Sequence, residues 1–167
     1  MVSSNSTSSP SKAPAAEDIL PGSSGSGSHG MDHVDRLRII GIGASAGGLE
    51  AFTELVGNLP SDSKVAYVLV QHLDPTHRSL LSELLGRSAT LPVEEIAPNT
   101  RVAARHIYVI PPNCDLAIRD GVLELTPREK NSGSPARSID HFLKSLAVDR
   151  GASAIGVILS GAGSDGA

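Results

Sequence analysis

Aromatic residues and cysteine are scarce in this sequence of 167 residues. Two phenylalanines, two tyrosines and no tryptophan are present, so the core must be aliphatic and a platform for stacking nucleic-acid bases is not expected. The single cysteine, Cys114, cannot form an internal disulfide, which suits a reducing compartment. The sequence also lacks an apolar run of about 18 residues, the length of a membrane span, and the features of a secretory signal. We therefore expect a cytoplasmic protein without membrane insertion.

Net charge and local composition narrow the possible binding partners and indicate where the globular domain begins. The formal net charge of -4 argues against nucleic acid or an acidic membrane surface as a partner. Residues 1–36 are rich in Ser, Gly and Pro and contain no aromatic residue, so they bury too little apolar surface to offset the entropy lost on ordering. We predict a disordered tail over residues 1–36 and one globular domain over residues 37–167.

Apolar runs alternate with amphipathic stretches from residue 37 onward. Helical spacing of apolar residues predicts three helices, over residues 47–59, 79–88 and 138–150. Short apolar runs predict strands over residues 38–43, 65–71, 93–96, 106–110 and 154–159, and a hairpin pairs residues 116–118 with 122–125. The alternation predicts an α/β fold: a doubly wound, mostly parallel, Rossmann-like sheet with a small β-hairpin insertion. We expect the last elements of this fold to be missing after residue 167.

Three loops at the carboxyl ends of predicted strands carry residues suited to ester hydrolysis. Ser45, His72 and Asp165 lie in these loops, at the edge where parallel sheets bind ligands. A histidine can take the proton of a serine hydroxyl, and a carboxylate can orient the imidazole. Small residues around Ser45 permit a sharp strand-to-helix turn, where free N–H groups such as that of Ala46 can hold an oxyanion. These residues predict a serine hydrolase.

Each part of this pattern has a second interpretation. Residues 41–46 match the glycine-rich phosphate fingerprint of dinucleotide-binding domains, and this loop alone leaves both functions open. The fingerprint requires an acidic residue at the end of the next strand, where His72 stands and Asp74 is two residues too distant; His72 therefore favours the hydrolase. Asp165 alone fits a turn or helix N-cap. A metal site at His72, Asp74 and His77 lacks further ligands, and no metal or cofactor is expected.

Four short motifs follow one another at suitable spacing. They are GIGASAGG at 41–48, VQHL at 70–73, YVIPP at 108–112 and LSGAGSDGA at 159–167. Together they resemble the CheB family, the protein-glutamate methylesterases of bacterial chemotaxis, over a CheB-type catalytic domain at residues 37–167. The resemblance implies that Ser45 attacks the methyl ester of a receptor glutamate, with His72 as base and then acid and Asp165 as its orienting partner. Methanol leaves, and water frees the glutamate; the family also deamidates certain receptor glutamines.

The sequence departs from the common family pattern in two respects. A receiver domain commonly precedes the esterase, whereas a tail stands here. A methionine often occupies the position of Ala162, whose backbone is associated with the oxyanion site, so the resemblance implies Ala46 and Ala162 as backbone donors. Residues 72–75, 113–116 and 138–142 look more like the branch in which the esterase is fused to a CheR-type methyltransferase.

The resemblance to this branch also implies which partners the protein has. They are methylated chemoreceptor-like signalling proteins and a fused or separate CheR-type methyltransferase. The alternative in this branch is a catalytically weak regulatory or binding module. Because the elements that should border Asp165 are expected to be missing, we expect this chain alone to show weak or no activity.

Overall fold

Eight strands and three α-helices make up the described part of the chain. The structure is a computed structural model that describes residues 36–44, 48–71, 80–128, 137–160 and 165, all within the unit His33–Ala167. The strands are β1 (Ile39–Ala44), β2 (Ala66–Gln71), β3 (Val93–Glu95), β4 (Thr100–Arg101), β5 (Ile107–Val109), β6 (Cys114–Arg119), β7 (Val122–Pro127) and β8 (Ala154–Ser160). The α-helices are α1 (Gly48–Gly57), α2 (Leu81–Gly86) and α3 (Ser138–Arg150), and a short 3-10 helix spans Gly151–Ser153.

The central sheet is parallel and has helices on both faces. Its strand order is β3-β5-β2-β1-β8. On one face, Ile42 and Leu69 pack with Phe52 of α1 and Leu85 of α2. On the other face, α3 packs together with a second, antiparallel sheet of order β4-β7-β6. The predicted α/β fold with a doubly wound, mostly parallel sheet is therefore confirmed. Among the described helices, none has the length and apolarity needed to cross a membrane.

The small sheet contains the predicted hairpin. Asp120 and Gly121 join β6 to β7 with positive φ angles of 49° and 74°, as a type I′ turn requires. The hairpin is longer than predicted, because β6 already begins at Cys114, two residues before the predicted start at residue 116. The two-residue strand β4 was not predicted. It forms because Thr100 and Arg101 pair with β7, and two residues are too few to show an alternating pattern.

The helices agree with their predicted positions to different degrees. The observed bounds of α3 are the predicted ones, residues 138–150. α2 is shorter than the predicted residues 79–88, and Leu80 and Leu84 do not point into the core. These two side chains are 55% and 39% exposed, whereas Leu81 and Leu85 are buried. A helix of six residues has one buried stripe, and the i, i+4 pair fills it.

Two glycines in β1 allow α3 to approach the sheet closely. A Cβ at Gly41 would lie 2.8 Å from Phe142 Cε1 and 2.9 Å from Leu146 Cδ2. A Cβ at Gly43 would lie 2.5 Å from Ile139 Cγ2. The missing side chains thus make room for α3, and Gly43 brings the first turn of α3 over the carboxyl end of β1.

Candidate active site

The predicted site loops leave three neighbouring strands. β1 lies between β2 and β8, and all three are parallel. Ala44 at the end of β1 is in register with Gln71 at the end of β2 and with Ser160 at the end of β8. The residues that follow these ends in the chain are Ser45, His72 and the 161–167 stretch. The carboxyl ends that precede the three predicted catalytic residues therefore meet at one edge of the sheet.

Asp165 is the predicted site residue that the structure describes. Ser45, Ala46, His72 and Ala162 lie outside the described residues, as do Asp74 and His77 of the metal alternative. Residues 1–35 of the predicted tail lie outside them too, so these predictions stay predictions. In the described part of the chain, no group of three or more His, Cys, Asp and Glu side chains is placed to hold a metal ion.

The half-buried Asp165 places its carboxylate at the start of α3. Its Oδ2 accepts a hydrogen bond from the backbone N–H of Ile139 at 3.1 Å, and its Oδ1 accepts one from that of Asp140 at 2.8 Å. Arg137, the N-cap residue of α3, makes no side-chain cap hydrogen bond. Asp165 thus satisfies two first-turn donors of α3, and the positive end of the helix dipole favours its negative charge. The structure therefore shows the helix-capping role of Asp165, and its catalytic role stays a prediction.

A cluster that the sequence analysis missed holds the same end of α3. Ser138, the first residue of α3, is fully buried and donates from Oγ to Asp115 Oδ1 at 2.9 Å. Arg128 donates from Nε and Nη2 to the same oxygen at 3.1 and 2.9 Å, and from Nη2 to Ser138 Oγ. The sequence analysis did not single out Arg128. The one available signal was its place just after the hairpin, next to the strand end that carries Asp115.

Cys114 adjoins this cluster but is not activated. Burial raises the pKa of its thiol from the usual 9.0, although the Arg128 guanidinium lowers it in part. The thiol is therefore protonated at neutral pH, and a protonated thiol is a weak nucleophile. Arg128 Nη2 donates a hydrogen bond to the backbone carbonyl oxygen of Cys114 at 3.3 Å. Cys114 therefore contacts the cluster through its backbone and not through its thiol.

The glycines of the phosphate fingerprint have a packing role. Gly41 and Gly43 lie inside β1, against α3. The glycines of a dinucleotide loop instead form the turn after the strand and approach the pyrophosphate. At Gly48, where α1 begins, a Cβ would collide with the Cβ of Ala44. Close contact between the start of α1 and the end of β1 therefore accounts for Gly48, and the packing of these glycines favours the hydrolase over the dinucleotide site.

Comparison with known proteins fits this arrangement. The family model described as CheB methylesterase matches residues 40–167. The chain belongs to the CheB methylesterase family. The crystal structure of the Thermotoga maritima CheB methylesterase catalytic domain superimposes with a TM-score of 0.67 at 27% identity, covering 78% of this chain and 70% of that chain. The resemblance seen in the four motifs is thereby confirmed.

Two curated CheB-family relatives illustrate the degree of similarity. A protein of Xanthomonas oryzae pv. oryzae (strain MAFF 311018), named protein-glutamate methylesterase/protein-glutamine glutaminase 2, is 35% identical over 136 residues. A protein of the same name from Syntrophomonas wolfei is 32% identical over 142 residues. The matches cover 78% and 83% of this chain but 37% and 41% of the relatives. This chain thus spans about two fifths of their length, and fusion to a CheR-type methyltransferase stays a prediction.

Proposed function

We propose that this chain forms the hydrolytic domain of a protein-glutamate methylesterase that also deamidates glutamine. One observation carries the proposal: two α3 N–H groups hold the Asp165 carboxylate, and the strands that lead to Ser45 and His72 end side by side. The names of the 32–35% identical relatives support the reaction. A carboxylate fixed in this way can orient a histidine and stabilise its protonated form.

The proposed reaction proceeds in two steps. Ser45 Oγ attacks the ester carbonyl carbon of a methylated glutamate while His72 accepts the hydroxyl proton. The N–H groups of Ala46 and Ala162 hold the oxyanion. The C–O bond to the methoxy group breaks, and His72 returns the proton so that methanol leaves. Water then attacks the acyl carbonyl carbon while His72 accepts its proton. The bond to Ser45 breaks as His72 returns that proton to Ser45 Oγ, which leaves a glutamate side chain on the receptor. With glutamine, ammonia leaves in place of methanol.

The substrate and location follow from the same proposal. The substrates are methylated glutamates on chemoreceptor-like signalling proteins, and a CheR-type methyltransferase is the partner that installs the ester. We place the reaction in the cytoplasm, where a single unpaired cysteine is kept reduced.

Methanol release from a methylated receptor tests this assignment. In the full-length protein that carries this chain, Ser45→Ala is expected to abolish release and labelling by a fluorophosphonate probe, because the nucleophile is lost. Ser63→Ala is a matched control, since Ser63 contacts Tyr67 Oη at 3.1 Å and precedes the amino end of β2, whereas His72 follows the carboxyl end of that strand. Equal methanol release by Ser45→Ala and wild type would contradict the role of Ser45. A folded wild type with neither labelling nor release would indicate the regulatory alternative.

A further inference from the structure

We propose that Asp115, Arg128 and Ser138, here called the Arg128 cluster, position the Asp165 carboxylate for catalysis. This inference rests on the proposed function, in which Asp165 orients His72. The cluster lies at the open end of the β6–β7 hairpin: Asp115 is the second residue of β6, and Arg128 follows β7. It connects the hairpin to the first residue of α3. In the described part of the chain, none of its three side chains forms a hydrogen bond with Asp165. Each is therefore a positioning residue that acts through α3.

The hydrogen bonds of the cluster converge on one oxygen. Asp115 Oδ1 accepts from Ser138 Oγ at 2.9 Å and from Arg128 Nε and Nη2 at 3.1 and 2.9 Å. Arg128 also binds Ser138 Oγ and the Cys114 carbonyl oxygen. Every side chain in the cluster is therefore bonded to both of the others. Charge-assisted bonds of this kind fix geometry more firmly than neutral ones.

The cluster determines which backbone N–H groups of α3 are available to the Asp165 carboxylate. A serine at the start of a helix often caps it, but the Ser138 hydroxyl is turned toward the hairpin. The N-cap residue Arg137 makes no side-chain cap bond either. The N–H groups of the next two residues, Ile139 and Asp140, are thus left to the Asp165 carboxylate. Each carboxylate oxygen takes one N–H group, which sets both its place and its rotation.

A second contact limits movement of the same helical turn. Ile139, one of the two donors to Asp165, packs where a side chain on Gly43 would stand. The first turn of α3 is therefore held between the Arg128 cluster and the end of β1, two residues before Ser45 in the chain. Loss of the cluster would release one of these two restraints. Misplacement of a catalytic group by about 1 Å can lower a rate about 100-fold.

Kinetics of variants in the full-length protein test the inference. Ser138→Ala is expected to lower kcat for methanol release about 2- to 12-fold, the effect of one lost hydrogen bond. Arg128→Met is expected to lower kcat about 10-fold, since charge-assisted bonds are lost from a partly exposed site. KM is expected to stay unchanged in both, because the cluster is proposed to act on the position of Asp165 and not on substrate binding. Arg128→Lys keeps the charge and is expected to lose less than Arg128→Met.

Ser145→Ala is the matched control. Ser145 lies on the same helix and its Oγ bonds the same hairpin, accepting from Ile118 N–H at 3.1 Å, but it is two turns further along. Its loss is expected to leave kcat unchanged. A merely structural role of the cluster would make Ser138→Ala and Ser145→Ala equal in kcat and in melting temperature, and that result would overturn the inference.

A second readout does not depend on turnover. Amide hydrogen exchange of Ile139 and Asp140, measured by NMR, is expected to accelerate about 2- to 12-fold in Ser138→Ala and to stay at the wild-type rate in Ser145→Ala. Unchanged exchange at both amides would overturn the inference.

The two proposals also fail separately. If Ser45→Ala abolishes activity while Ser138→Ala and Arg128→Met leave kcat intact, the positioning role is wrong and the esterase assignment stands. If Ser45→Ala stays active, the esterase assignment is wrong.

Discussion

At the scale of single residues, Asp165 joins two functions that its sequence context presents as alternatives. A Gly-rich loop ending in aspartate suggests either a turn or cap residue or a catalytic carboxylate. In the structure the carboxylate caps a helix that begins 27 positions earlier, as counted from Ser138. That pairing could not be read from sequence, because local capping patterns relate residues only three or four positions apart.

Replacement of Asp165 by alanine tests the capping part of this arrangement. Asp165→Ala removes both acceptors from the first turn of α3, and we expect the free energy of unfolding to fall by about 0.5–2 kcal/mol. Urea denaturation followed by circular dichroism measures the change. Asp62→Ala is the control, since Asp62 is exposed in the turn between α1 and β2. Equal stability of the two variants would show that the carboxylate does not cap the helix in solution.

At the scale of elements, β1 shows that the same glycine spacing can occur in a phosphate-binding loop and in a strand packed against a helix. Its glycines fit a phosphate fingerprint by spacing alone, yet their neighbours are Phe142, Ile139 and Leu146 of α3. The bounds of α3 were predictable because its apolar spacing is regular and its ends are marked by Ser138 and Gly151. The contact between α3 and the glycines was not, because about 100 residues separate them in sequence.

A methyl group added to β1 is expected to push α3 away from the sheet. Gly43→Ala would place a Cβ 2.5 Å from Ile139 Cγ2, and overpacking of a core contact costs about 1–3 kcal/mol. We expect a lower melting temperature together with slower fluorophosphonate labelling, because the start of α3 holds Asp165. Thermal melts and labelling time courses measure both effects.

The neighbouring strand provides the control for this substitution. Gly156 on β8 faces the same helix, but a Cβ there would lie 3.5 Å from Leu143 Cδ2, an ordinary contact distance. Gly156→Ala is therefore expected to change stability by less than about 0.5 kcal/mol. A Gly43→Ala protein as stable and as readily labelled as Gly156→Ala would argue against close packing of α3 on β1.

At the scale of the whole molecule, strand alternation predicted the sheet and the edge at which the strands preceding the site loops end. The register of Ala44 with Gln71 and Ser160 agrees with that expectation. The Arg128 cluster was beyond sequence reasoning, because its members come from β6, from the residue after β7 and from α3, and only tertiary packing brings them together. Regular elements follow local patterns, whereas polar clusters of this kind depend on the completed fold.

Dinucleotide binding can be tested on the molecule as a whole. Because Gly41 and Gly43 are covered by α3, we expect NAD to leave the melting temperature unchanged in a thermal-shift assay. A true ligand present at about 100 times its Kd would stabilise the folded state by about 2.7 kcal/mol. An upward shift that grows with NAD concentration would favour the dinucleotide site over the hydrolase.

The cap that Asp165 provides has a consequence for biosynthesis. A chain is made from its N-terminus, so all 13 residues of α3 are synthesised before Asp165. During that interval the N–H groups of Ile139 and Asp140 lack the carboxylate that binds them in the finished fold. The capping of the helix end and the addition of the carboxylate proposed to orient His72 are thus one event.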